Sequence, residues 1–102
     1  MLSGDTFDHL DPLLQHKLRL GACVLLSRNE ALSFTNLKSS LGATDGNLGA
    51  QLTKLQDKGY LSIKKEFVDR KPVTWYALTT TGRKALDAHL DTLQAVLDAR
   101  SA

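Results

Sequence analysis

Residues 35–59 read TNLKSSLGATDGNLGAQLTKLQDKG and hold two helical patterns separated by a glycine. In the first, Leu37 and Leu41 stand four apart behind Thr35, a fair N-cap, which predicts a helix over about 35–41. Gly42 ends it as a left-handed C-cap would. Two residues on, Thr44 can cap a second helix, and Asp45 in its first turn meets the dipole. Leu48, Leu52 and Leu55 form the buried stripe of that helix. Gly59 closes it after Lys58, which gives a helix over about 44–58. Helix, tight turn, helix is the layout of a helix-turn-helix.

Upstream, Asp11 can cap and Pro12 suits a first helical position. Leu14, Leu18, Ala22 and Leu25 then recur at three or four residues, so a helix is expected over about 12–27. Leu13, Leu20, Val24 and Leu26 widen its stripe beyond one face. Two explanations fit that surplus: a central core helix, or a surface for a partner subunit. Ala31 to Phe34 is a short extended piece. Downstream, Leu61, Ile63 and Phe67 mark a strand. Asp69-Arg70-Lys71-Pro72 is turn chemistry with two bases at its tip, and Val73 to Leu78 is a second strand. Residues about 60–78 thus form a basic-tipped hairpin. Thr79 can cap a last helix over about 80–99, where Leu86, Leu90, Leu93 and Leu97 follow the spacing of a coiled-coil seam. The expected fold is α+β, mainly helical: a winged helix-turn-helix with a two-stranded wing and a C-terminal dimerisation helix, in one domain over 1–102.

Composition removes several classes. The chain has 102 residues, enough for one small core, and a hydrophobic content of 42%, which argues against disorder. Its longest apolar run, Leu18 to Leu26, is interrupted by Arg19 and is too short for a membrane span. The N-terminal MLSGDTFDHLDP lacks an apolar h-region, and a lone Cys23 fits a reducing compartment, so a cytoplasmic protein with no membrane partner is expected. The formal net charge is +2, but its distribution is uneven. Residues 44–84 carry eight bases against four acids, whereas residues 85–102 carry one base against three acids.

This charge and geometry point toward duplex DNA. A helix fits the major groove when small or hydrogen-bonding side chains at its N-terminal end allow close approach. The helix over 44–58 opens with Thr44, Asp45, Gly46 and Asn47 and continues past Leu48 with Gly49, Ala50 and Gln51. Each interior glycine costs a helix roughly 1 kcal/mol relative to alanine. Gly46 and Gly49 therefore mark either a surface that something approaches or close packing against the preceding helix. Asn47 and Gln51 are the candidates for reading bases, since their amides pair bidentately with adenine. Thr44 and Lys54 suit phosphates. Asp45 either meets the helix dipole or accepts from a cytosine amine. Arg70 and Lys71 would reach the flanking minor groove or its phosphates.

The run TDGNLGAQLTKLQDKGYLSIKKEFVDRKPVTWYALTTTGRKAL, Thr44 to Leu86, resembles the small winged-helix transcriptional regulators related to the MarR and ArsR families. The compact subgroup of about one hundred residues is most similar, in TDGNL, KGY, RKP and T-x-x-G-R; HKLRLGACVLL in the first helix resembles it too. The resemblance implies a homodimer joined through the N- and C-terminal helices, with the recognition helix in a major groove and the wing alongside. Leu14 and Leu18 with Leu86, Leu90, Leu93 and Leu97 are the expected interface. A pseudo-palindromic operator follows from two-fold symmetry. Many relatives carry Arg or His where this chain has Ala50 and Gln51, so no particular operator sequence is carried over.

No Gly-rich phosphate loop or nucleophile elbow is present, so no enzyme is expected. Cys23 lies within the apolar face of its helix, as a core residue or else a redox sensor. His9, His16 and His89 read as surface residues with no soft ligand pair, so neither metal nor cofactor is expected. A small effector could occupy an apolar dimer interface, but no convergent polar groups mark one. The rival to DNA binding is a winged helix used for protein–protein contact, because the recognition helix itself balances Lys54 and Lys58 against Asp45 and Asp57.

Overall fold

Side-chain caps decide where the helices of this chain begin. The computed structural model describes residues 2–101. In chain order it contains α1 (Gly4–Asp8), a 3-10 turn (Pro12–Leu14), α2 (Lys17–Ser27), β1 (Leu32–Ser33), α3 (Phe34–Leu41), α4 (Asp45–Asp57), β2 (Leu61–Val68), β3 (Lys71–Leu78) and α5 (Thr80–Ser101). The expected helix over 12–27 is therefore two pieces. Asp11 Oδ1 accepts from the Leu13 N–H at 2.9 Å and caps only the 3-10 turn. His16 then turns extended, and its Nδ1 accepts from the Leu18 N–H at 3.1 Å to start α2 afresh. A second correction is at α3, whose cap is Ser33 and not Thr35: Ser33 Oγ accepts from the Asn36 N–H at 3.1 Å. Thr44 caps α4 as expected, accepting from the Asn47 N–H at 3.2 Å.

The hairpin turn is tighter than the sequence suggests. Asp69 and Arg70 both have positive φ, 51° and 66°, and alone join the strands, as in a type I′ turn. Lys71 therefore opens β3 and pairs with Val68, and Pro72 pairs with Phe67 inside the ladder. Proline is tolerated there because the pair next to the closing pair exchanges no ladder hydrogen bonds. The sheet is antiparallel in the order β1-β3-β2, with the two-residue β1 lying against Trp75 and Tyr76.

The core is one cluster. Leu14, Ala22, Cys23 and Leu26 meet Leu37 of α3, Leu48, Leu52 and Leu55 of α4, Leu61 and Tyr76 of the sheet, and Leu86 of α5. α2 packs against α3, α4, α5 and β3 together, and that central position accounts for its apolar surplus. Gly82 allows α5 to start close beneath the sheet, since a Cβ there would run into the Tyr60 carbonyl oxygen. Beyond His89, α5 has no buried residue. Its last three turns project from the body, and the molecule measures 56 × 25 × 21 Å. Among the described residues, no helix is long and apolar enough to cross a membrane.

Candidate nucleic-acid interface

α4 presents two faces. Leu48, Gln51, Leu52 and Leu55 are buried, at the three- and four-residue spacing of one helical stripe. The opposite side carries Gly46, Asn47, Ala50, Thr53 and Lys54, all exposed. A Cβ added at Gly46 or Gly49 would meet no atom within 4 Å. That excludes packing against α3 as the reason for the glycines. The surface they leave is low and open, flanked by the Asn47 amide and the Thr53 hydroxyl.

Gln51 is a correction. It is 9% exposed, and its Oε1 accepts from Arg19 Nη1 at 2.5 Å, so its amide points into the protomer and not toward a base. Arg19 Nε also donates to the Leu13 carbonyl at 2.6 Å. The spacing carried this signal: Gln51 follows Leu48 by three residues and precedes Leu55 by four. Thr53 is the residue that sequence reasoning missed, and it stands three residues after Ala50 on the open face. Its hydroxyl donates to the Gly49 carbonyl at 2.9 Å, which leaves its oxygen able to accept. Asp45, at the helix N-terminus, pairs with Lys38 Nζ at 2.7 Å, consistent with a dipole and ion-pair role.

The wing follows α4 in the chain, and its strand β2 packs against that helix. Arg70 occupies the turn and is exposed, as is Lys71 at the start of β3. Lys64 pairs with Glu66 at 3.6 Å, and Glu66 Oε1 also accepts from Trp75 Nε1 at 2.7 Å. The most prominent apolar side chain is Phe67, 77% exposed near the tip.

The expected interface leucines divide by burial. Leu14, Leu18 and Leu86 are packed inside the protomer's own core and offer no surface to a partner; their place in the dimer interface is withdrawn. Leu90 and Leu97, 39% and 53% exposed, and half-buried Leu93 lie on the projecting part of α5. Phe7 of α1 is a further exposed apolar residue, in a helix that the sequence did not suggest.

Away from these surfaces, the polar groups are structural. His89 is not a surface residue: it is 3% exposed, and its Nδ1 accepts from the Asp11 N–H at 2.9 Å. Asp11 Oδ2 accepts from the Tyr60 hydroxyl, so Asp11 joins the N-terminal segment, the foot of the wing and α5. Cys23 is fully buried, and burial, reinforced by Asp11, pushes its thiol up from 9.0 to about 12. A thiol so placed stays protonated and unreactive near neutrality, which favours the core reading over a redox sensor. Among the described residues, no group of three or more His, Cys, Asp and Glu is arranged to hold a metal ion.

Comparison with known proteins agrees with this architecture. The family model of the winged helix DNA-binding domain matches residues 18–97. The uncharacterized protein MJ0432 of Methanocaldococcus jannaschii is 33% identical over 73 residues, which cover 72% of this chain and 79% of that protein. A transcriptional regulator homologue from Pyrococcus horikoshii OT3 superposes with a TM-score of 0.88 at 25% identity, covering 96% of this chain and 99% of its own. The transcriptional repressor CouR, solved bound to a 23-mer DNA duplex, superposes with a TM-score of 0.76 at 22% identity, covering 94% of this chain and 67% of its own. From its helices, hairpin and family match together, the chain belongs to the winged-helix DNA-binding domain family.

Proposed function

We propose that this protein is a cytoplasmic, sequence-specific transcriptional regulator that binds double-stranded DNA as a homodimer. α4 enters the major groove, and the wing lies on the adjacent minor groove or backbone. The observation that carries this reading is the open face of α4, where Gly46 and Gly49 have empty space in place of a packing partner. A helix shaped only for stability would not carry two glycines facing solvent. Asn47 is the direct reader of bases. Thr53 takes the second position on that face, since a threonine hydroxyl can serve several bases. Thr44 and Lys54 contact phosphates, and Arg70 and Lys71 hold the wing to the backbone or groove. CouR bound to DNA supplies a precedent for the fold in this role.

The homodimer rests on Leu90, Leu93 and Leu97 on the projecting half of α5, together with exposed Phe7. Isolated exposed leucines need no explanation, but an aligned set on an unpacked helix suits a second copy of that helix. Two-fold symmetry then sets the half-sites about 34–36 Å apart. Titrating a selected duplex over a range of salt tests the DNA reading. Affinity should fall steeply, with a logarithmic slope of about 0.9 per phosphate neutralised. Absence of binding to any duplex at low salt would favour a protein–protein module instead.

A further inference from the structure

Phe67 stands out because nothing in the protomer explains its exposure. Phe67, 77% exposed, is the most exposed large hydrophobic residue among the described residues. In the ladder it faces Pro72, and side chains of one antiparallel pair share a face. Toward the body the same face continues through Lys65 and Thr74 to Ile63 and Tyr76, then to Leu61 and Leu78 on the core. The wing thus carries its core-facing side outward, past the last residue it can bury, and ends it in a phenyl ring and a proline.

We propose that Phe67 and Pro72 form an apolar wedge that the wing presses into the minor groove beside the recognition helix, so that DNA deformability becomes part of what the protein reads. The inference rests on the DNA-binding reading above. A duplex is the occupant selected by charge, reach and side-chain type. First, Lys65 lies on the same face as the ring and Arg70 stands with Asp69 in the adjoining turn, while Lys71 lies on the opposite face with Glu66, whose carboxylate is engaged by Trp75 and Lys64. An apolar tip flanked by Lys65 and Arg70 complements a groove walled by phosphates. Second, reach is sufficient. Six residues at about 3.3 Å carry Phe67 about 20 Å from Leu61. A major groove and its neighbouring minor groove are offset by half a helical turn, about 17 Å. Third, phenylalanine and proline are both side chains that minor-groove proteins insert at base steps, which they partly unstack and kink. Flexible pyrimidine–purine steps yield most readily, so such a step is expected beneath each wing.

The test uses the full chain and a 30-bp duplex selected by it from a random pool, with fluorophores at both ends. Phe67→Ala should weaken binding by about tenfold, a typical scale for losing one aromatic–base contact. It should also reduce the bend read by energy transfer, leave the salt slope unchanged, and melt like the parent protein, because the ring is solvent-exposed. Phe67→Leu should keep most of the affinity. Arg70→Ala, by contrast, should lower the salt slope by about one. If Phe67→Ala binds and bends the duplex as the parent does while Arg70→Ala is impaired, the wing docks through charge alone; the wedge is then wrong and the DNA reading survives. If Phe67→Ala instead changes the oligomeric state in sedimentation, the ring belongs to a protein interface and the wedge is again wrong. If the parent selects no duplex, both the wedge and the proposed function fail.

Discussion

The Arg19 guanidinium donates from Nη1 to the amide oxygen of Gln51 at 2.5 Å, which anchors α4 to α2. The same guanidinium holds the Leu13 carbonyl through Nε. Gln51 therefore positions α4, and Asn47 is the residue proposed to read bases. Removing Arg19 would strand two partly buried acceptors. Arg19→Ala should cost about 1–3 kcal/mol in urea unfolding. Gln51→Ala should lose stability while keeping the base preferences of the parent, whereas Asn47→Ala should relax preference at particular positions by about 1–3 kcal/mol. Binding to a set of singly substituted duplexes separates the two, and a relaxed preference in Gln51→Ala would return that residue to the reading face.

The glycines separate into two kinds. At Gly82 a Cβ would meet the Tyr60 backbone carbonyl, so Gly82→Ala should destabilise the protein by about 1–3 kcal/mol through overpacking. At Gly49 the space is empty, so Gly49→Ala should stabilise the helix by about 0.5–1 kcal/mol. The same methyl group would hold DNA away from the α4 backbone and weaken binding. Paired melting and binding measurements check this opposition. A Gly49→Ala protein that gains stability and binds DNA as well as the parent would show that no close approach occurs there.

The α5 leucines likewise separate by burial. Leu90→Asp with Leu97→Asp should leave a folded monomer with reduced operator affinity, because both side chains are solvent-exposed within the protomer. Leu86→Asp should instead prevent folding, since it would bury a charge in the core. Sedimentation and circular dichroism distinguish the two outcomes. A double variant that remains dimeric would move the interface away from α5.

Stability should fall at alkaline pH. Burial, followed by Asp11, raises the Cys23 thiol from 9.0 to about 12. Burial, followed by the hydrogen bond to Asp11, raises the Tyr60 phenol from 10.0 to about 12. Below about pH 9 both groups are neutral in folded and unfolded chains alike, so they add no pH dependence. Above it the unfolded chain ionises first and is favoured, so stability declines from about pH 9 toward 12. Urea midpoints measured from pH 7 to 11 should be level at first and then fall, and Cys23→Ala should remove the early part of the fall. A level profile through pH 11 would contradict these placements.

Much of this architecture is legible in residue spacing. The leucines of α4, its Thr44 cap and the Gly42 stop locate the helix-turn-helix without ambiguity, because propensity, periodicity and capping agree there. The start of α2 is less visible. Asp11 and His16 both offer caps, and only tertiary packing determines that each is used in turn. The hairpin turn misleads because Lys71 and Pro72 look like turn residues, yet Asp69 and Arg70 adopt left-handed conformations and close the strands alone. Gln51 misleads for a different reason: its residue type suggests base reading, while its register with Leu48 and Leu55 places it inside. Where chemistry and periodicity disagreed on α4, periodicity prevailed. The buried His89 has no comparable local signal, since its partner is the backbone of Asp11 at the far end of the chain.

Selecting bound fragments from the source genome with the full chain shows whether a dimer reads duplex DNA through the open face of α4. Fragments sharing a pseudo-palindrome whose half-sites lie about one helical turn, or about 34–36 Å, apart should be enriched. That enrichment should be lost when Asn47 is changed to Ala. Recovery of fragments with no shared sequence, or of none above background, would contradict that reading.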